Sequence, residues 1–267
     1  MATRRKGYRN IIRIKHGARE TVRDALAIEA AVTLFVNQQE IVTLLCTPSR
    51  LEHLAAGYLF SEGIVKSADD IRTVAHDAAG GVVNVELIGN LPPEAEVFEH
   101  RALTTGCGRG TMFYALQDQA GLTRVRSDAR VAAPRIAALM RNLQERSGLF
   151  LTTGAVHSAA LAHAHCIVCT GEDVGRHNAV DKVIGRAVLE RMDLHDKILL
   201  TSGRISSEIL TKTVRAGIPI LVSRSAPTLL AVRYAQRLGV TLAGFVRGNR
   251  MNVYTHAQRI TTSVNGD

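Results

Sequence analysis

One cysteine lies in a segment whose composition favours a reactive thiol. Cys107 stands between Gly106 and Gly108, with Arg109 and Gly110 directly after them. Closely spaced glycines are costly in a helix or strand and typical of loops. A nearby guanidinium favours the thiolate, which is the nucleophilic form of cysteine. The segment therefore predicts a nucleophilic thiol on a mobile loop; the alternative is a small apolar side chain that fills a turn.

Arginines recur at the points where predicted strands give way to helices. The residues at these junctions are Arg176 with His177, Arg204 and Arg224. The carboxyl ends of parallel strands meet at one edge of a sheet, where helix N-termini bind anions. We therefore predict that these residues contact phosphate groups, with His177 or His157 orienting or protonating groups nearby. Each junction alone also fits an ordinary capped turn, in which Asn178 is one cap.

A further basic segment follows the last strand of this series. It consists of Phe245, Val246, Arg247, Gly248, Asn249 and Arg250. The two guanidinium groups could clamp a phosphate, and a glycine between them lets the backbone approach a ligand closely. The alternative is a basic surface turn.

The remaining cysteines do not predict a metal site. Cys166 and Cys169 have the CxxC spacing of half a zinc site, but no second ligand pair follows. Residues three apart in a strand point to opposite faces, so we predict two structural cysteines in a buried strand and no structural metal. A zinc deaminase would need the H-x-E motif, and Ala159 stands where its glutamate would be.

These candidates require an α/β fold to position them. We predict a basic tail over residues 1–10, a small mixed α/β domain over 11–100, a mobile cysteine-bearing linker over 101–115 and an α/β domain over 116–267 with a largely parallel sheet. In the first half, the sequence predicts a strand over 11–14, a hairpin around Asn37, and a helix capped by Thr47 that ends at Gly63. In the second half, it predicts a helix that stops at Gly148 and another that begins at Pro227.

Composition excludes several classes of protein. The 267 residues carry a formal net charge of +9, but aromatic residues make up only 4% and tryptophan is absent. Few aromatics and no recognition-helix pattern argue against a nucleic-acid partner. No segment fits a signal peptide or a membrane span, and four cysteines in a chain of this length do not form a disulfide framework. We therefore expect a cytoplasmic protein with reduced thiols and no membrane contact.

At the level of motifs, the chain resembles the formate dehydrogenase accessory sulfurtransferase family (FdhD). The segments that carry the resemblance are PSRLEHLAAGYLFSEGIV (48–65), the Cys107 loop, LTTGAVHSAAL (151–161), EDVGRHNAVDKVIG (172–185), TSGRISSEIL (201–210) and FVRGNRMNVY (245–254). The resemblance implies a cytidine-deaminase-like domain joined to a smaller α/β domain, as a homodimer.

The resemblance also implies a function. Such proteins take sulfur from a cysteine desulfurase as a persulfide and deliver it to the bis-molybdopterin guanine dinucleotide cofactor, with molybdenum or tungsten, of formate dehydrogenase. Carried over, Cys107 matches the persulfide-bearing cysteine, residues 245–250 match the cofactor segment, and a guanine nucleotide would mimic the ligand.

One departure keeps a rival function open. Many family members have C-G-x-C in the loop, whereas here Gly110 occupies the second cysteine position. A persulfide needs only one sulfur acceptor, but a second thiol that resolves or relays it is missing from this loop. The alternative is a non-catalytic chaperone that binds the molybdenum cofactor and hands it to formate dehydrogenase.

Overall fold

The chain opens with a long antiparallel hairpin. In the computed structural model, which describes residues 4–77, 81–91, 101–103 and 122–262, strand β1 (Lys6–Lys15) pairs with β2 (Ala18–Ala27). Residues 6–10 are therefore half of a strand, which corrects the predicted loose tail. Basic residues occur on both faces of β1, so the sequence lacks the apolar–polar alternation that identifies a half-buried strand.

The first half contains a five-stranded sheet with the order β5-β6-β3-β4-β7. Its strands are β3 (Ala30–Val36), β4 (Gln39–Cys46), β5 (Ile71–Asp77), β6 (Val82–Leu87) and β7 (Arg101–Leu103). Asn37 and Gln38 have φ angles of 48° and 69° and join β3 to β4. Positive φ at both central residues is the requirement of a two-residue hairpin turn, so the predicted hairpin is confirmed.

Helix α1 (Leu51–Glu62) covers this sheet and begins later than predicted. It ends at Gly63, whose φ of 83° allows the left-handed cap, as expected. Its N-cap is Arg50, so Thr47 does not cap it and Pro48 is not its first residue. Thr47 instead donates its N–H to Asp173 at 3.0 Å and accepts from the Val174 N–H, 127 residues away. Thr47 therefore bonds to the second half of the molecule instead of capping α1.

The second half contains a six-stranded sheet with the order β10-β9-β11-β12-β13-β14. Its strands are β9 (His157–Ala162), β10 (Ile167–Asp173), β11 (Ile198–Thr201), β12 (Ile220–Ser223), β13 (Thr241–Arg247) and β14 (Arg250–Thr255). The sheet is mixed: β10, β11, β12 and β13 run in one direction, and β9 and β14 run in the other. Three of its five pairings are antiparallel, so the prediction of a largely parallel sheet is correct only for β11, β12 and β13. A pair of short strands, β8 (Val131–Ala132) and β15 (Ile260–Thr261), lies beside it.

Helices cover both faces of this sheet. They are α2 (Ala133–Arg146), α3 (Gly148–Thr153), α4 (Arg176–Leu189), α5 (Ser207–Arg215) and α6 (Leu229–Leu238). Two predicted boundaries are wrong by one or two residues: Ser147 ends α2 while Gly148 opens α3, and Thr228 caps α6 after Pro227. None of the described helices combines the length and apolar composition that crossing a bilayer requires.

The two halves meet where α1 crosses α4. A Cβ atom at Gly57 would lie 1.9 Å from the Asp181 carbonyl oxygen, and one at Gly185 would lie 1.9 Å from the His53 carbonyl oxygen. Only glycine permits this approach, so the two helix backbones are in direct contact. The contact holds the five-stranded sheet against the second half, although the exact division into domains stays a prediction.

Candidate functional site

Four strands end at one edge of the six-stranded sheet. The register places Thr201 opposite Ser223 on parallel strands, and β9 starts beside them, with His157 opposite Asp173 and Ala159 opposite Thr201. The junctions that the sequence singled out after β10, β11, β12 and β13 therefore converge. This row of strand ends and the loops above it are called the carboxyl edge below.

Exposed arginines line the carboxyl edge. They are Arg204, Arg224, Arg247 and Arg250. Within the described part of the chain, no carboxylate lies within salt-bridge distance of any of the four. Guanidinium groups without carboxylate partners are suited to a ligand that brings its own anionic oxygens.

One of these arginines is held by a neighbouring helix. Arg224 Nε and one terminal guanidinium nitrogen donate to the side-chain oxygen of Gln144 at 3.1 and 3.2 Å, with the amide oriented to satisfy both. The Arg224 carbonyl in turn accepts from Arg247 Nε at 3.4 Å. Sequence reasoning missed Gln144, because a contact between residues this far apart leaves no local signal.

The segment 245–250 is a bulged hairpin. Phe245 has a φ of 54°, in the left-handed region that favours glycine, and the pairing of β13 with β14 shifts between Gly244 and Arg247. Arg247 lies directly opposite Arg250, so the hairpin presents two guanidinium groups side by side. Bulges and strained backbone concentrate at functional sites, where they redirect side chains. This observation favours a binding role over an ordinary surface turn.

Arg176 and His157 pack together at the centre of the carboxyl edge. A Cβ atom at Gly203 would lie 2.9 Å from Arg176 Cβ and 3.5 Å from His157 Nδ1, so glycine at 203 leaves room for both. His157 Nδ1 is 3.3 Å from Ser202 Oγ. Burial, with the positive charges of Arg176 and Arg204, lowers the pKa of His157. The imidazole is therefore neutral near pH 7 and suited to hydrogen bonding.

His177 lies deeper than the other predicted contacts. Its Nε2 is 3.2 Å from Glu208 Oε2, and both side chains are largely buried. Burial, and after it the charges of Lys212 and Arg176, lowers the pKa of His177 well below its ordinary value. This contact with Glu208 lacks hydrogen-bond geometry, and His177 Nε2 makes no hydrogen bond within the described part of the chain. A buried neutral imidazole fits this environment better than a cation that meets a ligand phosphate.

The acidic and amide residues of the EDVGRHN motif are structural. Asp173 is fully buried and accepts from Lys182 Nζ at 2.6 Å, and its other oxygen accepts from the N–H of Gly175 and from Asn178. Asn178 also donates to the Leu45 carbonyl at 2.9 Å, so it is not the cap of α4, which Gly175 provides. These bonds attach the start of α4 to the first half of the molecule.

Glu172, the first residue of this motif, supports a different helix. Its two carboxylate oxygens accept from the N–H groups of Leu149 and Phe150, in the first turn of α3, at 3.2 and 2.9 Å. A carboxylate at a helix N-terminus is favoured by the helix dipole. Glu172 therefore fixes the segment that leads into β9 and His157.

The cysteines occupy different environments. Cys107, with Arg109 and Gly110, lies outside the described residues, so its role stays a prediction. Cys169 is buried, and burial raises the pKa of its thiol, as a structural cysteine requires. Cys166 is exposed, which corrects the prediction that both were buried. It precedes β10 and so lies about 20 Å from the carboxyl edge, because a strand rises about 3.3 Å per residue.

Similarity to known proteins covers most of the chain. Residues 27–261 match the sequence profile of the FdhD/NarQ family. The chain is 41% identical to the sulfur carrier protein FdhD of Bacillus pumilus over 238 residues, which are 89% of this chain and 91% of that protein. It is 38% identical to the protein of the same name from Bacillus subtilis over 252 residues, covering 94% and 96% of the two chains.

A solved structure has the same fold. A crystal structure described as that of a formate dehydrogenase accessory protein, from Desulfotalea psychrophila, superposes with a TM-score of 0.79 at 29% identity. The match covers 96% of this chain and 99% of the other. The architecture described above is therefore shared over nearly the whole length.

Proposed function

Because the chain belongs to the FdhD/NarQ family, we propose that it is a sulfur carrier protein that serves formate dehydrogenase. In this proposal, Cys107 accepts sulfur from a cysteine desulfurase and passes it to the bis-molybdopterin guanine dinucleotide cofactor. The cofactor is cargo, bound at the carboxyl edge. Its molybdenum or tungsten centre receives the sulfur.

The observation that carries this proposal is the set of arginines without carboxylate partners at the carboxyl edge. The cargo has two pyrophosphate groups, and guanidinium groups bind such oxygens in bidentate fashion. Arg204 and Arg224 lie in loops after β11 and β12, Arg247 ends β13 and Arg250 begins β14, and all four are exposed. Neutral His157, beside Arg176, is available for a hydrogen bond to a guanine or a phosphate.

Chain connectivity supports a role for Cys107 at this edge. Strand β7 runs parallel to β4, with Leu103 opposite Leu44. Three residues further along, Thr47 bonds to Asp173 at the end of β10. The distance from Leu44 to Thr47 is about 10 Å, and the four residues from Leu103 to Cys107 can span about 14 Å. Cys107 is therefore within reach of the carboxyl edge.

The proposed chemistry needs only one thiol on this protein. The Cys107 thiolate attacks the outer sulfur of the desulfurase persulfide, and the desulfurase cysteine leaves as a thiolate. This forms one S–S bond, breaks another and requires no external oxidant or reductant. The residues of the carboxyl edge hold the cargo during delivery. The Cys107 S–S bond would then break and Cys107 would leave as a thiolate, while a reduced metal centre of the cargo would supply the two electrons that convert the outer sulfur to sulfide.

Intact-mass measurement tests the carrier step. After incubation with a cysteine desulfurase and L-cysteine, the wild-type protein should gain the mass of one sulfur atom, and Cys107→Ala should gain none. Cys166→Ala removes a cysteine that is exposed but remote from the carboxyl edge, so it should load like the wild type. Equal loading of Cys107→Ala and the wild type would refute the assignment.

Gly110, in the position of the second loop cysteine, leaves one alternative function to be tested. A non-catalytic chaperone would bind the cargo without carrying sulfur. In cells lacking this protein, Cys107→Ala would then restore formate dehydrogenase activity, whereas Arg247→Ala combined with Arg250→Ala would not. The carrier proposal expects both variants to fail.

A further inference from the structure

The hairpin of β1 and β2 is separate from the larger sheets. It forms its own two-stranded sheet, ten residues long on each side. Tyr8, Ile12 and Ile14 are 50%, 61% and 66% exposed. An isolated hairpin is marginally stable in water, and large apolar side chains clustered on a surface mark interaction sites.

The two faces of the hairpin differ in charge. On one face, Arg9 lies opposite Asp24 and Arg13 lies opposite Glu20, with Arg13 3.6 Å from Asp24. These opposite charges offset one another across the strands and leave Lys15 as the excess cation of this face. We call this the neutral face.

The other face carries cations without acids. Register places Arg19 opposite Ile14 and Arg23 opposite Asn10, and no aspartate or glutamate occurs among the side chains that alternate onto this face. The Tyr8 ring lies 4.6 Å from the Arg23 guanidinium. We call the surface formed by Tyr8, Ile12, Ile14, Arg19 and Arg23 the docking face.

The base of the hairpin adjoins the carboxyl edge. A cleft of about 680 Å³ lies between the hairpin and the start of α3, and its lining includes Arg5, Arg23 and Leu149. Arg5 is 4.0 Å from Glu172, the residue before Asp173 in β10. A protein bound to the hairpin would therefore lie beside the proposed cargo site.

We propose that the docking face binds the protein that donates sulfur, through an acidic surface with an apolar centre. This inference rests on the proposed carrier function. A second copy of the chain is a poor occupant, because it brings the same cations and a net charge of +9. Nucleic acid is disfavoured because this face offers only one aromatic ring for stacking, Tyr8, and the Arg23 guanidinium packs against that ring at 4.6 Å.

Sulfur-loading rates test the inference. Two variants alter the docking face: Arg19→Glu with Arg23→Glu, and Ile12→Ser with Ile14→Ser. The control, Lys15→Glu with Leu26→Ser, changes exposed residues on the neutral face. Each protein is loaded from a persulfidated cysteine desulfurase and, separately, from inorganic polysulfide. In the second reaction the Cys107 thiolate takes one sulfur and leaves a polysulfide dianion shorter by one atom.

The expected result separates docking from chemistry. Charge reversal on the docking face should slow loading from the desulfurase by about tenfold or more, since it replaces attraction by repulsion. Loading from polysulfide should stay at the wild-type rate, and the control should load normally from both donors. Failure of the carrier proposal itself would give a different result, because Cys107→Ala would then accept sulfur from the desulfurase.

Three outcomes would overturn the docking inference. Docking-face variants could load from the desulfurase at the wild-type rate. The control could slow as much as they do, or polysulfide loading could fall in parallel. Finally, the variants could lose only binding to phosphatidylglycerol vesicles while loading persists, which would identify the face as a membrane surface instead.

Discussion

Charged side chains in this protein occupy two contrasting regions. At the contact between α1, α4 and α5, Asp173 pairs with Lys182 at 2.6 Å and Asp181 pairs with Lys212 at 2.5 Å, all of them buried. At the carboxyl edge, Arg204, Arg224, Arg247 and Arg250 are exposed and lack carboxylate partners within the described part of the chain. The first region uses its charges to join parts of the fold, and the second leaves them available to a ligand.

The comparison shows that residue type alone does not identify function. Asp173 and Asn178 bond within the protein, whereas Arg204 and Arg247, at the ends of later strands, are exposed and have no carboxylate within salt-bridge distance among the described residues. Removing one partner of an internal pair destabilises the native state, because the other charge is left buried and uncompensated. A charge without such partners can be removed at little cost to stability.

The largest effect is expected from Lys182→Met. It leaves the buried Asp173 carboxylate without its cation, which should cost about 3–5 kcal/mol of unfolding free energy. Urea unfolding measures this loss. Arg247→Ala, at the exposed edge, should stay within about 0.5 kcal/mol of the wild type. Similar losses in the two variants would erase the distinction between the regions.

The next largest effect is expected from Gly57→Ala. The added Cβ would meet the Asp181 carbonyl oxygen at 1.9 Å, and backbone atoms cannot rotate away as a side chain can. Separating α1 from α4 should cost about 1–3 kcal/mol. Gly148→Ala is the matched control, because no atom lies within 4 Å of its added Cβ. If both substitutions were neutral in thermal unfolding, the close helix contact would be unsupported.

The affinity for a ligand tests the role of the exposed arginines at the carboxyl edge. Arg247→Ala with Arg250→Ala should weaken binding of a guanine nucleotide by about 10- to 100-fold, the effect of losing charged hydrogen bonds. Calorimetric titration with GDP measures the change. Arg72→Ala, on an exposed strand of the first half, should bind GDP like the wild type. Equal weakening by the control would indicate non-specific attraction to a basic protein.

The smallest effect concerns pH. Burial lowers the pKa of His177 below the usual value of 6.5, so in acid the unfolded chain binds a proton that the folded chain does not. Stability should therefore fall as the pH drops below about 6.5, by at most about 1.4 kcal/mol per pH unit for each such proton. His177→Gln should flatten this dependence in urea unfolding at several pH values. Exposed His165→Gln should leave it unchanged, and an unchanged slope in His177→Gln would contradict the argument.

Local signals predicted two elements correctly. The hairpin at Asn37 and the end of α1 at Gly63 agree with the structure. Each depends on neighbouring residues: a turn that requires positive φ, or a glycine that caps a helix. Elements without such signals were missed, among them β2, β9 and β14, and only residues 11–14 of β1 were predicted as a strand.

The candidate site also contains some features that the sequence predicted and others that it did not. Alternating strands and helices predicted that Arg176, Arg204 and Arg224 would converge, because parallel strands place their carboxyl ends together. The sequence could not show that Asn178 bonds to Leu45 or that Gln144 holds Arg224, since these contacts join residues far apart in the chain.

The amino-acid sequence by itself determined the family, the glycine-flanked cysteine and the order of the arginine-bearing junctions, because motifs and short-range periodicity are written along the chain. Only the tertiary structure decided which charged side chains bond within the protein and which are exposed to solvent. That outcome depends on burial and on partners far away in the chain, such as Thr47 and Asp173, which are 126 residues apart. Long-range packing, rather than residue type, separates the residues that hold this protein together from those offered to a ligand.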